Sequence, residues 1–177
     1  VSDITDVCYI NYLVDAKLLQ PLVPWGLELN RVGDQKQHAL FTLLTYNHGH
    51  FGPRMFGPLR RFLPSPVQSN WRIHVYDPAT GKQGIHFVTT AVSTTANALA
   101  ARLLSDGVAM HVPKQAKVLR EDDGTMIVRL DAGSGTSPSV NAILSPVPIA
   151  QLPDDWRACF PTYRDMLAYC VPQDRAM

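Results

Sequence analysis

With 177 residues, 46% of them hydrophobic and 18% charged, the chain has a globular composition and is long enough to bury one sizeable core, so a single domain over 1–177 is expected. Sixteen basic against fifteen acidic residues give a formal net charge of +1, which argues against a nucleic-acid or anionic-membrane partner. No apolar run approaches the ~20 residues of a membrane helix, and the opening VSDITDVCYI lacks the charged-then-apolar order of a signal segment.

Fourteen prolines predict short helices and many loops. VCYINYLVD (7–15) is aromatic and β-branched and reads as a strand ending at Asp15, which caps a short helix, AKLLQPLV, closed by Pro24. GLELNRV (26–32) and HALFTLLTY (38–46) read as strands joined by the polar turn GDQK. Residues 47–69 carry two Gly-Pro pairs and two further prolines and are expected to be one long loop, a lid or binding segment. NWRIHVYD (70–77), PATGK and QGIHFVTTA (83–91) form a hairpin. VSTTANALAARLLSD is the main helix, with Ser93, Thr94 and Thr95 as candidate caps and Gly107 past its end. GVAMHVPKQAKVL (107–119) reads as a strand, followed by the turn EDDGT, the strand MIVRLDA (126–132), the turn DAGSGTSPS and the strand SVNAILS (139–145). That Gly-Ser turn lacks the Gly-Lys-Ser/Thr of a phosphate loop, and no cofactor is expected. An extended SPVPIAQLPDDW leads to a helix over 161–171, with Pro161 in its first turn. The expected class is α+β, antiparallel and β-rich, with about eight strands, one main helix and two short ones.

YINYLVDAKLLQPLVPWGLEL (9–29) resembles the opening of acetoacetate decarboxylase-like proteins: a strand, an aspartate, a short helix, then Val-Pro and Leu-Glu pairs. NWRIHVYD followed by GIHFVTTAVSTTANALAARLL is similar to the YqjF-like bacterial branch of that superfamily, and the resemblance covers about residues 7–131. It implies a cone-like antiparallel β-barrel with helices outside and a ligand cavity inside. The decarboxylases form a Schiff base on a lysine in a Pro-Lys-Lys segment, the second lysine lowering the pKa of the first. Here the one Pro-Lys is Pro113-Lys114, Gln115 replaces the second lysine, and counting from the helix end puts the pair near Ala109 and Met110. The family's arginine before the first strand and glutamates after the second fall near Thr5 and Thr42, and the loop 47–69 holds no Glu. The resemblance therefore implies the fold rather than the reaction.

Period-two alternation sets Met110, Val112, Lys114, Ala116 and Val118 on one face of the 107–119 strand and His111, Pro113, Gln115 and Lys117 on the other. On that apolar face Lys114 would be a desolvated, nucleophilic amine with His111 as acid or base. Pro113 equally marks an edge or a bulge, and a bulge turns Lys114 into water. With no second lysine beside it, Lys114 is not read as a decarboxylase lysine, only as the amine for any imine chemistry. A hairpin turn centred on Thr80 would set His74 opposite His86, with Arg72 on the same face and Trp71, Ile73, Val75, Ile85 and Phe87 on the buried one. Facing a cavity, Arg72, His74 and His86 make a carboxylate-binding wall, joined by Tyr46, His48 and Arg61 at and within the 47–61 loop. Facing outward, they are solvated residues of a half-buried sheet. His48-Gly-His50 has a metal-site spacing that needs a third ligand, such as His74 or His111; loop histidines are the plainer reading. Arg54, Arg60 and Arg61 either close over an anionic ligand or lie along the surface. Cys8, Cys159 and Cys170, odd in number and far apart, read as reduced, buried filler in a cytoplasmic protein. No G-x-S-x-G points to hydrolysis.

The reading is a protein that binds, and if an enzyme transforms by lyase-like chemistry, a small organic acid in the barrel. The alternatives are a non-catalytic ligand-binding or interaction protein and a histidine metal site. Superfamily members continue with more strands after the helix matching 161–171, whereas this chain stops at VPQDRAM. The barrel is then open or its edge is covered by a second chain, and the expectation leans to a homodimer.

Overall fold

The computed structural model describes residues 3–50, 52, 54–63, 65–104, 110–147 and 151–171; Gly107, Ala109 and the closing VPQDRAM beyond Val171 lie outside them. The strands are β1 (Asp3–Asp15), β2 (Glu28–Leu29), β3 (Arg31–Val32), β4 (His38–Gly49), β5 (Val67–Asp77), β6 (Lys82–Val92), β7 (Met110–His111), β8 (Gln115–Arg120), β9 (Met126–Asp131) and β10 (Val140–Leu144). The α-helices are α1 (Ala16–Leu19), α2 (Thr95–Leu104), α3 (Asp154–Arg157) and α4 (Tyr163–Cys170). One sheet runs β1-β4-β5-β6-β7, with β2 on β5 and β3 on β4; β10-β9-β8 form another. The chain is thus mixed α+β and strand-rich. Among the described residues the strand order does not return on itself, so the barrel closure expected from sequence is not found.

Contacts divide the chain into two compact units. The first comprises 1–8, 44–70 and 89–146, the second 9–43, 71–88 and 147–177. In the second, Asp15 caps α1 by accepting the Lys17 N–H at 2.9 Å, and a 3-10 turn over Gln20–Leu22 carries Pro21, as its ring requires. Period-two alternation sends Ala39 and Phe41 of β4 and Ile73 and Val75 of β5 into one cluster with Ala16, Leu19 and Leu29. Leu40 enters a separate cluster with Val32, Phe160 and Cys170, against which Trp156, Met166 and Tyr169 pack. The α4 helix starts where Thr162 accepts the Asp165 N–H and donates its hydroxyl to the Asp165 carboxylate at 2.7 Å. Pro161 therefore precedes this cap rather than sitting in the first turn. The short α3 replaces part of the stretch expected to be extended.

The first unit corrects two expectations. Strand β4 continues to Gly49 and β5 begins at Val67, and a 3-10 run over Arg54–Phe62, broken at Gly57 (φ 46°), occupies much of the supposed structureless loop. Pairing with neighbouring strands carries β4 and β5 past the point where side-chain pattern marks their ends. The strand expected over 107–119 is two short strands in two sheets: β7 pairs parallel with β6, and β8 pairs antiparallel with β9. Pro113 has no N–H to give a ladder, and the chain bends at 112–114. The β9 strand then alternates cleanly, burying Met126, Val128 and Leu130, with Val118 and Ala142 both aligned on Val128.

Ile73 is fully buried on the middle strand of the larger sheet, whereas Ile143 on β10 is exposed. Ile73→Ala is expected to lower the unfolding free energy by about 2–5 kcal/mol in urea titrations. Ile143→Ala should change it by less than about 0.5 kcal/mol.

Candidate functional site

In the second unit, β5 brings Arg72 and His74 onto the face covered by α4. Each is 6% exposed, so the reading of these two as solvated residues fails: both faces of β5 are buried. The Arg72 Nη2 donates to the Cys170 carbonyl at 3.2 Å, and its guanidinium carbon lies 5.2 Å from the centre of the Tyr9 ring. Cys170 is the last residue of α4, so its carbonyl is among those a helix leaves without an internal partner, at the negative end of the helix dipole. A guanidinium at that point satisfies the carbonyl and is itself stabilised. His74 stacks on Tyr169 with ring centres 4.6 Å apart and planes 18° from parallel, and the Tyr169 hydroxyl points to the Asn30 carbonyl at 3.4 Å. Among the described residues the His74 Nε2 has no hydrogen-bond partner.

This arrangement sets the charges. Burial, and secondarily the Arg72 cation, lowers the His74 pKa to about 4, so the imidazole is neutral at physiological pH. Burial raises the Cys170 thiol to about 11 against the opposing pull of Arg72, and burial also raises the Tyr169 phenol. Among the described residues Arg72 thus keeps its charge beside a neutral imidazole, with a protonated phenol and thiol on the same helix end. His86 stands half-buried on the adjacent strand β6, its pKa lowered by burial.

The first unit holds a different polar cluster. His48 and Tyr46 of β4 and Gln68 and Asn70 of β5 form a hydrogen-bonded series. The His48 Nε2 meets the Gln68 Oε1 at 2.7 Å, the Gln68 amide donates to Asn70 at 2.9 Å, and the Asn70 amide donates to the Tyr46 hydroxyl at 3.3 Å. The Tyr46 and His48 rings meet edge to face, 5.0 Å apart. Gln68 and Asn70 were missed by sequence reasoning, although counting back by twos from His74 and Arg72 reaches both. Asn47, on the alternate side of β4, ties Asp6 at 2.9 Å to the Val118 carbonyl at 3.3 Å.

Lys114 and His111 both lie against the turn over residues 132–137. Lys114 is exposed on the bend, its N–H bonded to the Asp131 carbonyl at 2.7 Å. Its stem lies over Gly133, where φ is +59° and an added Cβ would come within 2.9 Å of the lysine Cδ, so a side chain there would be strained and would push the lysine stem aside. The His111 Nδ1 meets the Thr136 hydroxyl at 2.8 Å. With Pro113 buried and Lys114 exposed, the inward face shifts by one residue before Ala116 and Val118, as a bulge at Pro113 implies. Arg61 is exposed, 4.8 Å over the Phe62 ring, and Arg60 donates to the His50 carbonyl at 2.8 Å. His50 has φ 51°, which breaks the alternation with His48, and its Nδ1 faces the Asp3 carboxylate at 3.2 Å. Among the described residues no group of three His, Cys, Asp or Glu could hold a metal ion. Thr5 is exposed on β1, and Thr42 is fully buried, donating to Asn11 at 2.7 Å; Ala109 lies outside the described residues.

The fold is that of acetoacetate decarboxylase-like proteins. An acetoacetate decarboxylase from Legionella pneumophila subsp. pneumophila matches at TM-score 0.54 and 19% identity, over 78% of this chain and 46% of that one. The enduracididine biosynthesis enzyme MppR, complexed with pyruvate, matches at TM-score 0.50 and 15% identity, over 78% of this chain and 54% of that one. The chain thus spans about half the length of these structures. The chain belongs to the DUF2071 family of uncharacterized conserved proteins, whose model matches residues 2–139. No curated protein matches the chain. No helix among the described residues is long and apolar enough to cross a membrane.

The lowered His74 pKa makes stability depend on pH. The unfolded histidine takes up a proton near 6.5, while the folded one resists until about 4. Between these values the unfolded chain binds more protons, so stability falls as pH is lowered through the window, by up to about 3 kcal/mol. Urea unfolding across it should resolve the decline, and His74→Phe, which keeps a ring on Tyr169, should flatten it. An unchanged slope in that variant would assign the decline to other groups.

Proposed function

We propose that this chain binds a small organic acid through Arg72, with His74 beside it, on an acetoacetate decarboxylase-like scaffold. The observation that carries the reading is a guanidinium, 6% exposed, that lies beside the Tyr9 ring, neutral His74 and the Cys170 carbonyl. In such surroundings a carboxylate meets a strong, directional donor with little competition from water. The relatives support the ligand class: one is named as an acetoacetate decarboxylase and another was solved with pyruvate. His86 on the neighbouring strand is assigned to the same wall, and Tyr46, His48 and Arg61 stay assigned as polar binding residues of the first unit.

The finer features of the reading are the superfamily's cone-like barrel as frame, a second copy as partner along the edge strand β1, and a cytoplasmic setting. Any chemistry on this scaffold is assigned to Lys114 as imine-forming amine, with His111 as acid or base. Both abut the same 132–137 turn. Binding is the leading function because Lys114 stands exposed on a bend and its neighbour is Gln115 rather than a second lysine.

Isothermal calorimetry with pyruvate and acetoacetate, alongside their methyl esters, tests the reading. The acids should bind and the esters should not, and Arg72→Met should weaken acid binding by about tenfold to a hundredfold, as befits a lost charge-assisted hydrogen bond. Esters binding as well as acids, or Arg72→Met binding unchanged, would overturn it. Borohydride reduction of the same mixtures is expected to leave Lys114 unmodified, and a trapped adduct there, absent in Lys114→Ala, would move the chain into the imine-forming class.

A further inference from the structure

The sheet β10-β9-β8 lies wholly in the first unit and buries one of its faces through Val118, Met126, Val128 and Leu130. Its other face carries an ordered pattern. Leu119, Ile127 and Ile143 stand opposite one another as an apolar row across all three strands, with Ile143 64% and Leu119 38% exposed. On one side of that row Lys117 is aligned on Arg129, and Arg129 on Asn141. On the other side Glu121 continues the alternation of β8, its N–H bonded to the Thr125 carbonyl at 2.8 Å, and the turn beyond it adds Asp122 and Asp123. The face thus runs from acid through apolar to base.

Two of these rows are unfavourable as they stand. Like charges directly opposite on neighbouring strands repel, and neither Lys117 nor Arg129 forms an ion pair among the described residues. Aliphatic side chains lined up on an open face leave a contiguous patch in water, where scattered ones would need no account. We propose that this face docks a second copy of the chain, about a two-fold axis that runs along the apolar row. Rotation about that line sets Leu119, Ile127 and Ile143 of one copy on the same residues of the other and reverses the order of the flanking rows. Glu121 then faces the partner's Lys117, and the acidic turn lies toward the partner's Arg129. An axis along β9 would instead set Arg129 on the partner's Arg129, and an anionic membrane would meet the carboxylates of the 121–123 turn, so the charge order selects this occupant and this axis. Asp131, which accepts the Gly133 N–H at 2.8 Å, lies one row beyond Arg129, at the rim. Strand β1 belongs to the other sheet, so the contact is separate from pairing along its edge. Three apolar residues per copy fall short of a standard interface, so the dimer is weak, with a Kd of about 10 μM to 1 mM.

Sedimentation equilibrium of the full chain, from about 5 μM to about 1 mM, tests the proposal, with the fold of each variant checked by circular dichroism. The unaltered chain should pass from monomer toward dimer across that range, and Ile143→Lys should stay monomeric. Ile143→Ser serves in its place if the lysine variant does not fold. Lys117→Glu and Glu121→Lys should each weaken the dimer at least about fivefold, since each turns an attractive pair into a repulsive one on both sides of the axis. The double variant, which exchanges the two charges, should recover the affinity of the unaltered chain to within about twofold. A chain still monomeric at the highest concentration would overturn the proposal. A dimer indifferent to Ile143→Lys would overturn it too and move the contact elsewhere, β1 included. Single-charge losses that the exchange fails to recover would reject the axis, and with it the proposed pairing.

Discussion

A permanently charged side chain sits under cover on the middle strand of a sheet, and the second unit is organised around that constraint. Taking a guanidinium out of water costs several kcal/mol unless its donors and its charge are answered locally. At Arg72 the local answers include the Tyr9 face and the carbonyl that closes α4, a group at the negative end of a helix. The interaction works in both directions: α4 covers Arg72, and Arg72 satisfies the helix end that would otherwise be bare. Phe160, Met166 and Tyr169 pack around the same cluster as Cys170, so the charge and the apolar contacts hold α4 jointly. The neutrality of His74 follows, because a second cation beside Arg72 in a desolvated place would be unfavourable twice over.

The polar series in the first unit solves burial differently. Tyr46, His48, Gln68 and Asn70 bond to one another through amide, hydroxyl and imidazole groups, at no cost of a fixed formal charge. One cluster therefore offers a charge, the other a neutral hydrogen-bonded surface.

Much of this was legible because β4 and β5 obey a simple period. Ile73 and Val75 alternate with Arg72 and His74, and the alternation correctly separates two faces; what it cannot tell is that both are covered. The cover over the second face is α4, nearly a hundred residues away along the chain, and nothing in the spacing of residues 70–77 signals a partner at Tyr169 or Cys170. Gln68 and Asn70 lay within reach of the same alternation but fell at a boundary set by the prolines before them. Pro113 was read as a device that could shift parity, and residues 110–119 do divide between two sheets around it. Asn47 carries no local signal: it matters because the fold brings Asp6 and the Val118 carbonyl to it. The family resemblance foresaw the strand-rich α+β fold, but not the open strand order of the larger sheet.

The central claim is that the Arg72 guanidinium is the anchor for a carboxylate. Its most direct test is side-chain NMR of nitrogen-labelled protein, following the Arg72 Nε–H signal, assigned by its loss in Arg72→Met, as pyruvate is added. The account predicts a slowly exchanging signal that shifts in a saturable way as the acid is added. A signal that stays in place at saturating acid, while other resonances report binding, would put the ligand elsewhere and leave Arg72 as a structural clasp for α4.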